Sequence, residues 1–307
     1  MFTTEVREEL AHLSTGRECC REAETAALLR IGGTLELRGG RSWGDVELVV
    51  ATDSGAVARR LHASLLALGG DRPDVEAHAP HGLRTATRYR VRLAGATALL
   101  GRLGMLDAWG SLTREPPGAL TARACDAAGY LRGALMAAGS ISDPRRPPHL
   151  EVTADDEPAA RHVAGMLRRV VASRARPAEH GGRWRVVVKS GEQIGAILAR
   201  VGAHGAFLRW DDARFRRELR GAANRAANAD QANLTRVVAA SARQTAGIER
   251  VVGAVGWDAL PDDLAEVALA RLANPEASLA ELGGLLDPPA GKATVHRRLE
   301  RILTFGG

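Results

Sequence analysis

The apolar positions of this 307-residue chain form two successive series of helical and extended patterns, then a stretch that is helical throughout. Near residue 24, ETAALLRIGGTLEL reads as a helix of small and apolar residues, a Gly-Gly break at Gly33 and an extended segment. Near residue 128, AGYLRGALMAAGSISD repeats that order with its break at Gly139. DVELVVAT (45–52) and HLEVTA (149–154) both alternate as strands do. Asp53-Ser54 and Asp155-Asp156 then supply capping side chains for helices predicted through Leu68 and about Ser173. RYRVRL (88–93) matches RWRVVV (183–188), and GATALLGRLGM (95–105) matches GEQIGAILARVGAH (191–204), two short helices ending at Gly104 and Gly202. Each half therefore reads α-β-β-α-β-β-α at a spacing of about 100 residues. The fold class is α+β: a duplicated αββαββα domain with two antiparallel sheets and pseudo-twofold symmetry, followed by an all-α domain. Ala and Gly in AALLRIGG and GALMAAG predict two helix backbones crossing closely where the halves join.

Beyond Glu218, residues 221–254 lack proline and keep a helical period, as one long helix or two with a break. Pro261 opens a further helix that stops at Asn274-Pro275, and Ser278 with Glu281 forms a capping box for the next. DPPAG (287–291) ends that helix, and KATVHRRLERIL (292–303) forms the last. On the last helix Val295, Leu299 and Ile302 share a core face, Ala293, Thr294, Arg297 and Arg301 lie opposite, and His296 and Arg298 flank them. The pattern suits a helix-turn-helix, or equally an αα-hairpin with a solvated basic face. As a helix-turn-helix it aims Thr294 and Arg297 at base edges, a bidentate Arg–guanine contact being worth ~1–3 kcal/mol of discrimination. Lys292 takes a phosphate, and Ser278, His296, Arg298 and Arg301 complete the DNA-binding surface. The expected domains are a helical extension (1–22), a first repeat (23–106), a linker (107–121), a second repeat with a basic segment (122–220), a connecting helix (221–257) and the helix-turn-helix (258–307).

Composition narrows the class. A hydrophobic fraction of 45% excludes a disordered or fibrous chain, and nothing approaches the ~20 apolar residues of a membrane span. The acidic, amphipathic start MFTTEVREELAHL argues against a signal or transit peptide, so a soluble, globular, cytoplasmic protein is expected. The net charge of +6 is unevenly placed, although 40 of the 42 basic residues are Arg, which points to a compositional bias. Residues 168–220 carry 13 Arg and Lys against 5 Asp and Glu, whereas 1–167 and 221–307 each carry a net −1. Such an excess reads as an electrostatic footprint or as chance clustering on a solvated face. Arg214, Arg216, Arg217 and Arg220 are the candidates for tracking phosphates, with Asn224, Arg225 and Asn228 following. Asn224 and Asn228 share a helix face, able to read adenine or to satisfy backbone groups at a domain junction. Cys19, Cys20 and Cys125 are too few for a disulfide framework and show no metal-ligand spacing, so a core or interface role is expected rather than a redox pair. The nine His are scattered, and no P-loop or G-x-S-x-G occurs; neither metal nor cofactor is expected.

ALLRIGGTL and GALMAAGSI resemble the signature of the LAGLIDADG homing endonucleases. That resemblance implies a helix pair crossing at the symmetry centre, with an acidic residue before each final Gly holding a catalytic divalent metal. Gly32 and Ala138 stand there, and Arg30 and Met136 two residues earlier cannot substitute, so no catalytic residue and no enzyme activity are expected. Together with RECCREAETAALLRIGG, YLRGALMAAGSISDP, NRAANADQANLTR and the run from Leu260 to Leu299, the chain is similar to the WhiA family over nearly its whole length. The family implies a degenerate homing-endonuclease domain joined to a helix-turn-helix similar to the promoter-reading region of sigma factors. It implies transcriptional control of sporulation and cell-division genes, and the Arg- and Ala-rich composition suits the actinobacterial branch. The implied partners are double-stranded promoter DNA, RNA polymerase holoenzyme with its primary sigma factor, and the iron–sulfur protein WhiB, at the nucleoid. The rival readings are a nuclease using other carboxylates and a scaffold for RNA polymerase or a sigma factor.

Overall fold

The structure is a computed structural model that describes residues 1–37, 46–80 and 86–305. Asp45, the first residue of a predicted strand, and the last two residues of the predicted C-terminal domain lie outside the described residues. The chain divides into two compact units, Met1–Arg217 and Glu218–Gly307.

The first unit opens with α1 (Phe2–Ala11) and then carries α2 (Glu18–Gly32), β1 (Gly33–Leu37), β2 (Val46–Thr52), α3 (Gly55–Ala67), β3 (Asp74–His78), β4 (Arg88–Ala94) and α4 (Thr97–Arg102). The second series is α5 (Ala124–Ala138), β5 (Gly139–Ile141), β6 (Leu150–Ala154), α6 (Glu157–Val171), β7 (Pro177–His180), β8 (Arg183–Val188) and α7 (Gly191–Val201). The duplicated αββαββα order is as expected, and both sheets are antiparallel with equivalent strand orders, β1-β2-β4-β3 and β5-β6-β8-β7. Even the register is shared. Val50 pairs with Gly33 and Val91 in one sheet, Val152 with Gly139 and Val186 in the other, and all four valines are buried. The predicted caps close the helix starts: Ser54 Oγ accepts from the Val57 N–H (3.3 Å) and Asp156 Oδ1 from the Ala159 N–H (2.8 Å). Gly202 ends α7 at φ +98°, a conformation that disfavours any side chain.

The helices α2 and α5 cross backbone to backbone, as their small residues predict. A Cβ on Gly133 would lie 2.1 Å from the Glu24 carbonyl oxygen, and one on Gly129 would lie 2.8 Å from that of Cys20. The Glu24 side chain is fully buried in this crossing, held by Arg60 of α3 at 2.6 Å and Arg132 of α5 at 3.0 Å. Above it the Tyr130 ring meets His162 of α6 edge-on, with centroids 4.7 Å apart. Burial, reinforced by the charges of Arg30 and Arg169, lowers the His162 pKa to about 4. The unfolded chain takes up this proton near pH 6.5 and the folded chain only near pH 4, so stability is present above 6.5 and lost as pH falls across that window. We expect a loss on the order of 2 kcal/mol between pH 7 and pH 5. Denaturant titration at the two pH values should show this difference largely removed in His162→Phe.

One helix, α8 (His204–Val255), is continuous where two helices were also allowed by the sequence, and it begins upstream of residue 221. Its start belongs to the core of the first unit, where Trp210 donates to the Gly191 carbonyl (2.8 Å) and meets Phe2. Glu9 of α1 accepts from the Gly205 and Ala206 N–H groups at 2.6 and 2.9 Å, satisfying donors that the first turn leaves open. Among the described residues no helix is long and apolar enough to cross a membrane.

Candidate nucleic-acid interface

In the second unit, α9 (Asp262–Ala273), α10 (Leu279–Gly284) and α11 (Lys292–Leu303) close over Ile248, Leu264, Val267, Leu282, Leu286, Val295, Leu299 and Ile302. The capping box at the start of α10 forms as predicted. Ser278 Oγ accepts from the Glu281 N–H (3.2 Å), and the Glu281 carboxylate accepts from the Ser278 N–H (2.7 Å). The turn between α10 and α11 is folded tightly against α10, since a Cβ on Gly283 would lie 2.0 Å from the Ala290 carbonyl oxygen. Arg271, itself buried, donates to the Pro275 and Ala277 carbonyls and fixes the loop between α9 and α10. These contacts set the position of α11.

With Val295, Leu299 and Ile302 in the core, the other side of α11 carries the predicted polar residues. Lys292, His296, Arg297 and Arg301 are exposed, while Thr294 and Arg298 are half-buried. Arg298 and Arg301 converge on Asp263 of α9, at 3.5 and 3.6 Å, so part of their charge is already answered. Lys292, His296 and Arg297 have no side-chain hydrogen bond or ion pair among the described residues. Lys292, Ala293 and His296 also line a shallow groove with Leu279 of α10. Ser278 spends its acceptor on the cap, which makes it a positioning group for α10.

The basic segment looks different once folded. Arg183 pairs with Asp155 (2.8 Å), Arg185 with Glu151 (3.5 Å), and Arg209 with Glu5 (3.5 Å), carboxylates all drawn from the first 167 residues. Arg214 pairs with Asp211 (2.8 Å) and Arg216 with Asp212 (3.1 Å). Arg217 donates to the carbonyls of Pro144 and Arg146. Three carboxylates from outside the segment thus offset part of its +8 excess, and most of it remains; Arg168, Arg174 and Arg176, which sequence reasoning passed over, are exposed without an ion pair among the described residues. In the second unit Arg220, Asn224 and Asn228 lie on one exposed face of α8, with Arg225 beside them. On the first sheet Arg92 lies within 4 Å of Glu36, Glu47 and Glu76.

At the C-terminal ends of the crossing helices, Gly32 closes α2 and Ala138 closes α5. Arg30 turns away to donate to the Gly104 (2.6 Å) and Thr113 (2.7 Å) carbonyls, and Met136 is buried in the core. At the opposite ends, the structure brings together Cys19, Cys20, Cys125 and Asp126, a grouping that local spacing does not reveal. The repeat does reveal it: Gly33 and Gly139 differ by 106 positions, and the same offset carries Cys19 and Cys20 onto Cys125 and Asp126.

The chain matches the WhiA N-terminal LAGLIDADG-like domain over residues 18–106, the WhiA LAGLIDADG-like domain over 127–220 and the WhiA C-terminal HTH domain over 223–305. It is 41% identical over 307 residues to the "Probable cell division protein WhiA" of Streptomyces griseus, covering 99% of this chain and 91% of that protein. The protein of the same name from Frankia casuarinae is 42% identical over 306 residues, covering 99% and 92%. The crystal structure of full-length DUF199/WhiA from Thermatoga maritima superposes with a TM-score of 0.59 at 24% identity, over 98% of this chain and 96% of that one. Its architecture is therefore shared from end to end. Three domain matches in the right order, relatives at about 41% identity along almost the entire length and a common fold make this chain a member of the WhiA family.

Proposed function

We propose that the protein binds promoter DNA in a sequence-specific way and regulates transcription of cell-division and sporulation genes, without cleaving DNA. The observation that carries this reading is Arg297: exposed, free of any ion pair among the described residues, and set on the outer face of a helix whose other face is locked into the core. In that reading Arg297 and Thr294 meet base edges, and Lys292 meets a phosphate near the start of α11. Arg298 and Arg301 share Asp263 and so contribute less than a bare charge. Arg220, Asn224, Arg225 and Asn228 form a second contact row on α8. The family's cell-division naming, given to relatives, is consistent with such targets. Neither Gly32 nor Ala138 can ligate a metal, which supports loss of cleavage; a plasmid-nicking assay with Mg²⁺ or Mn²⁺ should show no EDTA-sensitive product. Within this proposal RNA polymerase holoenzyme with its primary sigma factor, and WhiB, are the partners at a nucleoid-bound promoter.

The test is Arg297→Ala in DNA binding. Affinity for a specific promoter should fall by about 1–3 kcal/mol, roughly 5- to 150-fold, while binding to random DNA changes little. Equal losses on both would end the base-reading role. Holoenzyme recruitment supplies the second reading, favoured by the groove of Leu279, Ala293 and His296: a chain lacking 258–307 would then lose only the promoter occupancy that holoenzyme adds and keep its binding to naked promoter DNA.

A further inference from the structure

We infer that Cys19, Cys20, Cys125 and Asp126 form a mononuclear zinc site that joins the two repeats at the N-terminal ends of α2 and α5. The set contains every cysteine of the chain, although Cys125 is more than a hundred residues from the other two. Its four ligand atoms, three Sγ and one carboxylate oxygen, all lie within 4.8 Å of one another. With Zn–S bonds of about 2.3 Å, a tetrahedral site needs neighbouring ligand atoms about 3.8 Å apart, a contraction that small side-chain rotations supply. Four ligand atoms this close enclose one ion rather than a multi-iron cluster. Three thiolates and one carboxylate favour zinc over the hard cations magnesium and calcium.

The surroundings repeat the same symmetry. Cys19 and Cys125 are each the second residue of their helix, and Arg17 and Arg123 are the residues immediately before those helices. Each arginine crosses to the other helix's cysteine: Arg17 Nη1 lies 3.9 Å from Cys125 Sγ, and Arg123 Nη1 lies 3.7 Å from Cys19 Sγ. Zinc bound by three thiolates and a carboxylate carries a formal charge of −2, which two guanidinium groups balance. Asp126 is buried and oriented, its Oδ2 accepting the Arg123 backbone N–H (3.3 Å) while Oδ1 faces Cys125 Sγ (3.3 Å). That is the outer-shell support a metal ligand needs. The three cysteines are only half-buried, so an ion has a way in. Four protein ligands leave no open position for substrate, which makes this a structural site. It lies at the far ends of α2 and α5 from Gly32 and Ala138 and does not depend on the DNA-binding reading.

The experiment uses the full chain, reduced, stripped with a chelator and titrated with Co²⁺ as a spectroscopic probe for zinc. One Co²⁺ per chain should bind, giving thiolate-to-cobalt charge transfer and the visible bands of tetrahedral cobalt, and one equivalent of Zn²⁺ should abolish both. Cys19→Ser and Cys125→Ser should each weaken binding more than about 100-fold, beyond the 10- to 100-fold expected for Arg17→Ala or Arg123→Ala as outer-shell partners. Far-UV circular dichroism matching the parent chain qualifies each variant, and two separate cysteine variants are used in case one fails to fold. Absence of the charge-transfer band from the fully reduced chain, or equal cobalt uptake by the cysteine variants, would each overturn the site.

Discussion

Replacing Gly133 by alanine is expected to destabilise the first unit by about 3 kcal/mol or more, the upper end of what overpacking usually does. The added methyl would sit 2.1 Å from the Glu24 carbonyl oxygen and 2.9 Å from Ala27 Cβ. A side chain could rotate out of such a clash, but a carbonyl within a helix cannot, because it moves only with the helix axis. The two helices must therefore separate, and every apolar contact along their crossing loosens together. Gly165 of α6 provides the control, since a Cβ there meets nothing within 4 Å. Gly165→Ala should leave the denaturation midpoint unchanged or raise it slightly, because alanine favours a helix over glycine by roughly 1 kcal/mol. Similar losses at both positions would show that the crossing is not backbone-limited.

Removing the Glu24 carboxylate is expected to destabilise the same unit by about 3–5 kcal/mol. Glu24 is fully buried and neutralises two arginines whose side chains are themselves only 11% and 15% exposed. Glu24→Ala leaves both cations inside without a counter-charge, whereas Arg60→Ala or Arg132→Ala leaves one ion pair standing. The loss should therefore be clearly larger for Glu24→Ala than for either arginine variant, read as the shift in urea midpoint at constant slope. Restoring neutrality in Glu24→Met/Arg60→Met/Arg132→Met should recover much of the stability. A recovery close to zero would mean that hydrogen bonding, not charge balance, dominates this cluster.

The fold was legible in the chain wherever structure follows local pattern. Period-two runs gave strands, Ser54, Asp156 and Ser278 gave helix starts, and the recurrence after Gly33 and Gly139 gave the duplication. The core face of α11 was equally readable, because helical period alone assigns Val295, Leu299 and Ile302 to one side. What stayed hidden depends on residues distant in sequence. Nothing near Glu24 signals that Arg60 and Arg132 will reach it, and nothing near Arg298 or Arg301 signals Asp263. The charge partition missed some partners for the same reason: it separated Arg183 and Arg209 from Asp155 and Glu5, which folding brings together, while most of the excess at 168–220 remains. The polar first turn ECCRE likewise conceals that α2 begins at Glu18, since its cysteines answer to Cys125 and Asp126 rather than to an apolar stripe.

The long helix α8 has a consequence for how protection against solvent is distributed. Residues 222–239 are all exposed, so little burial helps to hold them helical, and a segment of that length is marginal on its own in water. The same helix is anchored by Trp210 in one hydrophobic core and by Ile248 in the other. Its amide protons therefore fall into three regimes: two that open only when a unit unfolds, and a middle one that opens by local breathing at far lower free energy. A single unbroken rod of hydrogen bonds is, in thermodynamic terms, two rigid ends joined by a segment whose order other molecules can readily strengthen or dissolve.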